Sequence, residues 1–141
     1  MVYRLDESIR WCVHKADLAL KNSAQRVLSH YDLTTEQWGV LSRLIEEEGY
    51  NQRSLADKNL KDQAALTRIL DLLEKKGLVR RTRSEQDRRE YLIFITNKGR
   101  ELYDAVLPDL LNNTKEVTAC LTFDELAELK KLLTRLTEGI K

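Results

Sequence analysis

The sequence predicts a mainly α-helical chain with one small antiparallel β hairpin, and three observations lead there. Apolar residues recur at steps of three and four over several long stretches, as on the buried face of a helix. Between them, residues 62–99 read as helix, stop, two short β-rich runs and a new helix start: DQAALTRILDLLEKKGLVRRTRSEQDRREYLIFITNKG. Glycine and proline are scarce, five and one, so the elements succeed one another without a flexible linker or low-complexity segment.

Taken in order, residues 9–31 carry Ile9, Val13, Ala16, Leu20, Ala24, Val27 and Tyr31 at helical steps, which predicts one long amphipathic helix. Thr34-x-x-Gln37 reads as a capping box for a second helix, with Leu33 and Trp38 placed as its hydrophobic staple. Trp38, Leu41, Leu44 and Ile45 form its buried stripe, and Gly49 supplies the stop. Asn51 caps a short third helix carrying Leu55 and Ala56, which Asn59, tolerant of positive φ, is expected to end. Asp62 caps the fourth helix, whose Leu66, Ile69, Leu70 and Leu73 face the core. Gly77 followed by Leu78 predicts a Schellman close. Residues 78–83 and 90–95 read as strands joined by residues 84–89, since Tyr91-Leu92-Ile93-Phe94-Ile95 is β-branched and aromatic throughout. Thr96 caps a helix toward Leu107. There Pro108 removes a hydrogen bond and clashes with the carbonyl of Asp104, predicting a kink or break. Thr122-x-x-Glu125 opens the last helix, where Leu126, Leu129, Leu133, Leu136 and Ile140 make a coiled-coil-like seam. A chain of 141 residues is too short to cover this seam and both terminal helices, so burial against a second copy is favoured over an intramolecular helical layer.

The chain is 42% hydrophobic and 33% charged, with a net charge of only +1. Its distribution is uneven. Residues 51–100 hold 13 Lys/Arg against 7 Asp/Glu, a net of +6, while the remainder is net −5. Within residues 75–89 seven cations (Lys75, Lys76, Arg80, Arg81, Arg83, Arg88, Arg89) face two anions (Glu85, Asp87), a concentration suited to a polyanion. No apolar run approaches the ~18 residues that span a bilayer, and the amino terminus lacks a signal-peptide core, which predicts a soluble cytoplasmic chain without membrane contact. In that compartment Cys12 and Cys120 stay reduced and are expected to be small buried hydrophobes. Neither the cysteines nor His14 and His30 show metal-ligand spacing, and no cofactor motif is present. The chain also lacks a nucleophile elbow, a Gly-rich phosphate loop, HExxH and paired-Cys motifs, which argues against an enzyme.

A helix able to lie in a DNA groove, followed by a short positive hairpin, is the outline of a winged helix-turn-helix that binds duplex DNA. It occupies residues 33–96, flanked by a helical dimerisation region formed by residues 1–32 and 97–141. On the fourth helix Gln63, Ala64, Thr67 and Arg68 share the outward face of the first two turns, the part of a recognition helix that reaches base edges. Arg68 can pair with guanine O6 and N7, Gln63 with adenine, and Thr67 or Ala64 can touch a thymine methyl. In the wing Arg81, Arg83 and Arg88 are expected at phosphates, with weaker contacts from Asn51, Gln52, Arg53 and Ser54.

The sequence resembles the MarR family of transcription regulators. The matching stretches are Leu33-Thr34-Thr35-Glu36-Gln37-Trp38-x-x-Leu41, Ser54-Leu55-Ala56, Leu66-Thr67-Arg68-Ile69-Leu70-x-x-Leu73-Glu74-Lys75-Lys76-Gly77-Leu78-Val79, Asp87-Arg88-Arg89 and Thr96-Asn97-Lys98-Gly99-Arg100, covering roughly residues 33–103. No single motif decides; their order and spacing do. The resemblance implies a triangular homodimer gripping a pseudo-palindromic operator. It also implies repression relieved by a small aromatic or lipophilic effector or by cysteine oxidation. It further implies that Arg89 enters the minor groove while Asp87 orients its guanidinium, which suits the negative potential of a narrow groove.

By the same resemblance, Trp11, His14, Tyr31 and Trp38 lie on helices flanking an effector cavity; the alternative is that they are ordinary core and interface aromatics. Cys12 lies in the helix that carries the reactive cysteine of the family's peroxide-sensing branch. It stands two residues off that register, however, and Thr35 occupies the place of a partner tyrosine. The competing readings are a redox-sensing regulator using Cys12, or a winged-helix protein–protein adaptor without DNA function.

Overall fold

The helix starts are set by local hydrogen bonds that the sequence spells out. The structure, a computed structural model, describes residues 1–140. Ser8 Oγ accepts from the Arg10 backbone N–H at 3.1 Å and opens α1 (Ile9–Leu28). At α2 (Thr35–Glu46) the capping box is complete: Gln37 N–H donates to Thr34 Oγ1 and Thr34 N–H to Gln37 Oε1, both at 3.1 Å. Asn51 caps α3 (Gln52–Lys58), and Asp62 Oδ1 accepts from Ala65 N–H at 2.7 Å to open α4 (Gln63–Lys75). Gly77, at φ +77°, closes α4 in the expected Schellman motif: Leu78 N–H donates to Leu73 O and Gly77 N–H to Glu74 O, both at 2.9 Å. Thr96 caps α5 (Asn97–Val117), and the Thr122/Glu125 box opens α6 (Phe123–Gly139).

The sheet is larger than the hairpin read from the sequence. A two-residue strand, β1 (Tyr50–Asn51), lies antiparallel beside β3 (Tyr91–Ile95), which pairs on its other side with β2 (Val79–Arg83), in the order β1-β3-β2. Two residues are too few to display an alternating pattern, so β1 left no signal. The class stands: mainly helical with a small antiparallel wing.

Four further expectations are corrected. α1 stops at Leu28, and a 3₁₀ turn at Ser29–Tyr31 follows, closed by Asp32 in the left-handed region at φ 55°. Asn59 does not carry the positive φ that ends α3. It sits at φ −93° with its Oδ1 accepting from Arg43 Nε at 3.1 Å, and Leu60 takes φ 55° instead. The break allowed for at Pro108 does not occur: α5 runs on through it, with Asp104 and Pro108 both on its exposed side, where water can serve the carbonyl that lost its donor. Cys12 and Cys120 are exposed, not buried. The first lies on the half of α1 that packs on little else in the chain, and the second in the turn between α5 and α6.

The core draws on α1 through α5. Leu28, Leu41, Leu44, Leu55, Leu66, Leu70, Leu73, Ile93 and Val106 are fully buried, each worth ~1.5–3 kcal/mol of apolar burial. Buried Ser23 accepts from Asn113 Nδ2 at 2.8 Å, which fixes α1 on α5. α6 buries nothing: Leu129, Leu133 and Leu136 stay 43, 42 and 43% exposed. Among the described residues no helix is long and apolar enough to cross a membrane.

Gly99 holds α5 against the wing. A Cβ there would fall 2.3 Å from Leu78 O and 2.7 Å from Ile95 Cγ1. Leu78 O is itself fixed, accepting from Thr96 N–H at 3.0 Å. Gly99→Ala is therefore expected to destabilise the fold by about 1–3 kcal/mol, read as a lower urea midpoint at unchanged slope. An unchanged midpoint would contradict this packing.

Candidate nucleic-acid interface

Burial of Leu66, Ile69, Leu70 and Leu73 sets the rotation of α4 and turns Gln63, Ala64 and Arg68 to solvent. Thr67 is half-buried. Its Oγ1 accepts from Gln52 Nε2 at 2.7 Å and donates to Gln63 O at 2.8 Å, so the hydroxyl is engaged and the methyl is what it can offer a base. The four residues read from the sequence do share one helix face, three of them free.

Of the four candidates at α3, the side chains of Asn51 and Gln52 make hydrogen bonds within the fold. Asn51 Oδ1 holds Ser54 N–H at 2.8 Å, which engages the Asn51 side-chain oxygen and the Ser54 amide as cap and capped group. Gln52 braces Thr67. Arg53 alone is exposed.

In the wing, Ser84 is buried, and its Oγ accepts from the N–H groups of Gln86 and Asp87 at 3.2 and 3.3 Å. Ser84 N–H donates to Glu90 O at 2.9 Å, and Glu90 N–H to Asp87 O at 3.0 Å. This tight tip carries the Asp87–Arg89 pair: Arg89 N–H and Nε both donate to Asp87 Oδ1, at 3.0 and 3.3 Å, while the Arg89 side chain stays 91% exposed. Arg88 is exposed beside it. Arg83 donates to Arg88 O at 2.7 Å and lies 5.2 Å over the Tyr91 ring.

Arg81 is not the free phosphate-binding cation the sequence suggested. Its Nη2 pairs with Asp71 at 2.6 Å and Glu74 at 2.9 Å, and its backbone N–H donates to Glu74 at 3.1 Å. The guanidinium hydrogen bond holds the Glu74 carboxyl below its ordinary range, and Glu74 in turn raises the Arg81 pKa. Arg81 thus joins β2 to α4. Sequence reasoning also passed over Arg80 as a site residue, which sits 4.6 Å over Phe94, its cross-strand neighbour. The hairpin register, once drawn, contains that pairing.

Between the starts of α3 and α4 and the wing lies a groove of about 410 Å³. Asn51, Gln52 and Arg53 line it from α3, Gln63 from α4, and Asp87, Arg89, Glu90 and Tyr91 from the wing. Helix and wing therefore open onto a common concave surface.

The candidate effector residues are not gathered in one chain. Trp11 leans on His14, ring centroids 5.5 Å apart, near the start of α1. Tyr31 lies past the other end of α1, of which the stretch from Trp11 to Leu28 alone runs about 26 Å at the helical rise. Its hydroxyl donates to the Asp109 carboxylate, a bond that raises the phenol pKa. Trp38 stacks on Tyr103 at 4.7 Å with the planes 6° apart. A second cavity of about 480 Å³, bounded by Arg26 on α1, His30 in the 3₁₀ turn that follows it and Asp109 and Asn113 on α5, includes none of the four. No cluster of three metal-ligating side chains occurs among the described residues.

Residues 33–91 match the model of the MarR family. The chain is 36% identical over 121 residues to the HTH-type transcriptional regulator TtmR of Methylorubrum extorquens, covering 86% of this chain and 61% of that protein. It thus spans less than two thirds of that relative. It is 31% identical over 112 residues to the HTH-type transcriptional regulator MgrA of Staphylococcus aureus, covering 78% of this chain and 74% of MgrA. Its fold is similar, at a TM-score of 0.87 and 28% identity, to a cysteine-to-serine mutant of MarR from E. coli complexed with operator DNA, over 96% of this chain and 99% of that one.

Proposed function

The chain belongs to the MarR family, a family of transcriptional regulators and not of enzymes, and from that premise we propose that it binds duplex DNA as a homodimer and represses transcription. The observation that carries this reading is the groove shared by α3, α4 and the wing, which Arg53 and Gln63 line on one side and the Asp87-oriented Arg89 on the other, with Arg68 exposed on the same face of α4 as Gln63. In this reading α4 enters the major groove, and Arg89 enters the adjacent minor groove, where negative potential is concentrated. Arg53, Arg83 and Arg88 add phosphate contacts. Two copies joined through the terminal helices present two such heads to a pseudo-palindrome, and the unpartnered seam of α6 supports that pairing. A small aromatic or lipophilic effector releases the DNA by acting where α1, α2 and α5 meet, around the Tyr31–Asp109 and Trp38–Tyr103 contacts. The protein works in the cytoplasm, beside its DNA.

The test is a binding titration of the full chain on a duplex taken from upstream of its own gene and on a scrambled duplex of equal length. Tighter binding to the first, by the ~10³-fold or more typical of specific recognition, is the expected result. Equal or absent binding to both would overturn the proposal.

A further inference from the structure

Tyr91 opens β3 at the groove between α3, α4 and the wing. It is an aromatic residue outside the core, 38% exposed, and among the described residues its hydroxyl makes no hydrogen bond. Its ring is nonetheless held, because Arg83, anchored on Arg88 O, lies 5.2 Å over it. A fixed ring carrying a free donor, in a groove that already holds Arg53, Arg89 and Gln63, is arranged for a ligand rich in acceptors.

The geometry of a duplex says which acceptors. A major groove and the minor groove beside it are separated by the sugar–phosphate backbone of one strand. Whatever lies between an element in the first and an element in the second faces that backbone and not base edges. We propose that Tyr91 is a DNA-binding residue whose hydroxyl donates to a phosphate oxygen of the strand crossing this groove. The inference rests on the DNA-binding reading above and deepens it. Two carboxylates share the groove: Asp87 is engaged by Arg89, while Glu90 opposes a phosphate, so seating the strand depends on donors such as Tyr91.

The experiment compares the wild-type full chain, Tyr91→Phe and Arg89→Ala by fluorescence anisotropy, on the upstream and scrambled duplexes, at several salt concentrations. Tyr91→Phe keeps the ring under Arg83 and is expected to melt with the wild type. It should bind both duplexes about five- to tenfold more weakly, the effect of one hydrogen bond to a charged acceptor at a partly exposed site. Its dependence of log affinity on log salt should keep the wild-type slope, since a neutral hydroxyl displaces no counterion; Arg89→Ala should lower that slope by about one. Wild-type affinity in Tyr91→Phe, or a loss on one sequence only, overturns this assignment while leaving the DNA-binding proposal intact. Absence of binding by the wild type overturns both.

Discussion

Replacing Leu129 and Leu133 together with aspartate is expected to leave a monomer that no longer holds operator DNA tightly. Both leucines belong to a seam that the folded chain leaves 42–43% exposed, and α6 contributes no buried residue to the core. The chain's own stability should therefore change little. In a two-fold interface each substitution acts twice, so four carboxylates enter one apolar contact, with the burial of four leucines, worth ~1.5–3 kcal/mol each, lost. A monomer offers one reading head where the dimer offers two, and loss of that bivalency typically costs ~10²–10⁴ in apparent affinity. Light scattering should report half the wild-type mass. An unchanged mass would sink the proposed interface.

Arg68→Ala and Arg89→Ala should fail in different ways. Arg68 is exposed on the first turns of α4, with no hydrogen-bond or ion-pair partner among the described residues. If its guanidinium pairs with guanine O6 and N7, its removal costs roughly 1–3 kcal/mol and relaxes discrimination at one position in each half-site. Arg89 is aimed by Asp87 but remains 91% exposed, so it acts as an oriented cation. Its loss should weaken every duplex alike and lower the salt slope by about one unit. Competition binding against single-base operator variants separates the two. A uniform loss in both mutants would make Arg68 a phosphate clamp, and unchanged affinity in both would remove DNA from this surface.

What was legible in the sequence was what a few neighbouring residues decide. The Thr34/Gln37 and Thr122/Glu125 boxes, the Asp62 cap and the Gly77 close each involve hydrogen bonds spanning three to five residues, and all formed as read. The α4 face was legible too, because its four apolar positions fix its rotation. What the sequence concealed was partnership across distance. Arg81 looked like any wing cation until the fold set it against Asp71 and Glu74, one turn apart on α4. Asn59 looked like the residue to turn left-handed, but Arg43 from α2 claimed its side chain and the strain passed to Leu60. Cys12 and Cys120 have the residue type of core positions and the location of a surface that one chain cannot cover. The effector residues show the same limit: Trp11 leans on His14 near the start of α1, while Tyr31, past the other end of that helix, bonds Asp109 of α5.

In the proposed function α4 and the wing act as one DNA-reading surface. The measurement that tests it most directly is the salt dependence of wild-type binding to the upstream and scrambled duplexes. A steep linear fall of log affinity with log salt is expected on both, from several phosphate contacts per head, with the upstream duplex bound more tightly throughout. Salt-insensitive binding, or identical affinity for the two duplexes at every salt concentration, would contradict it.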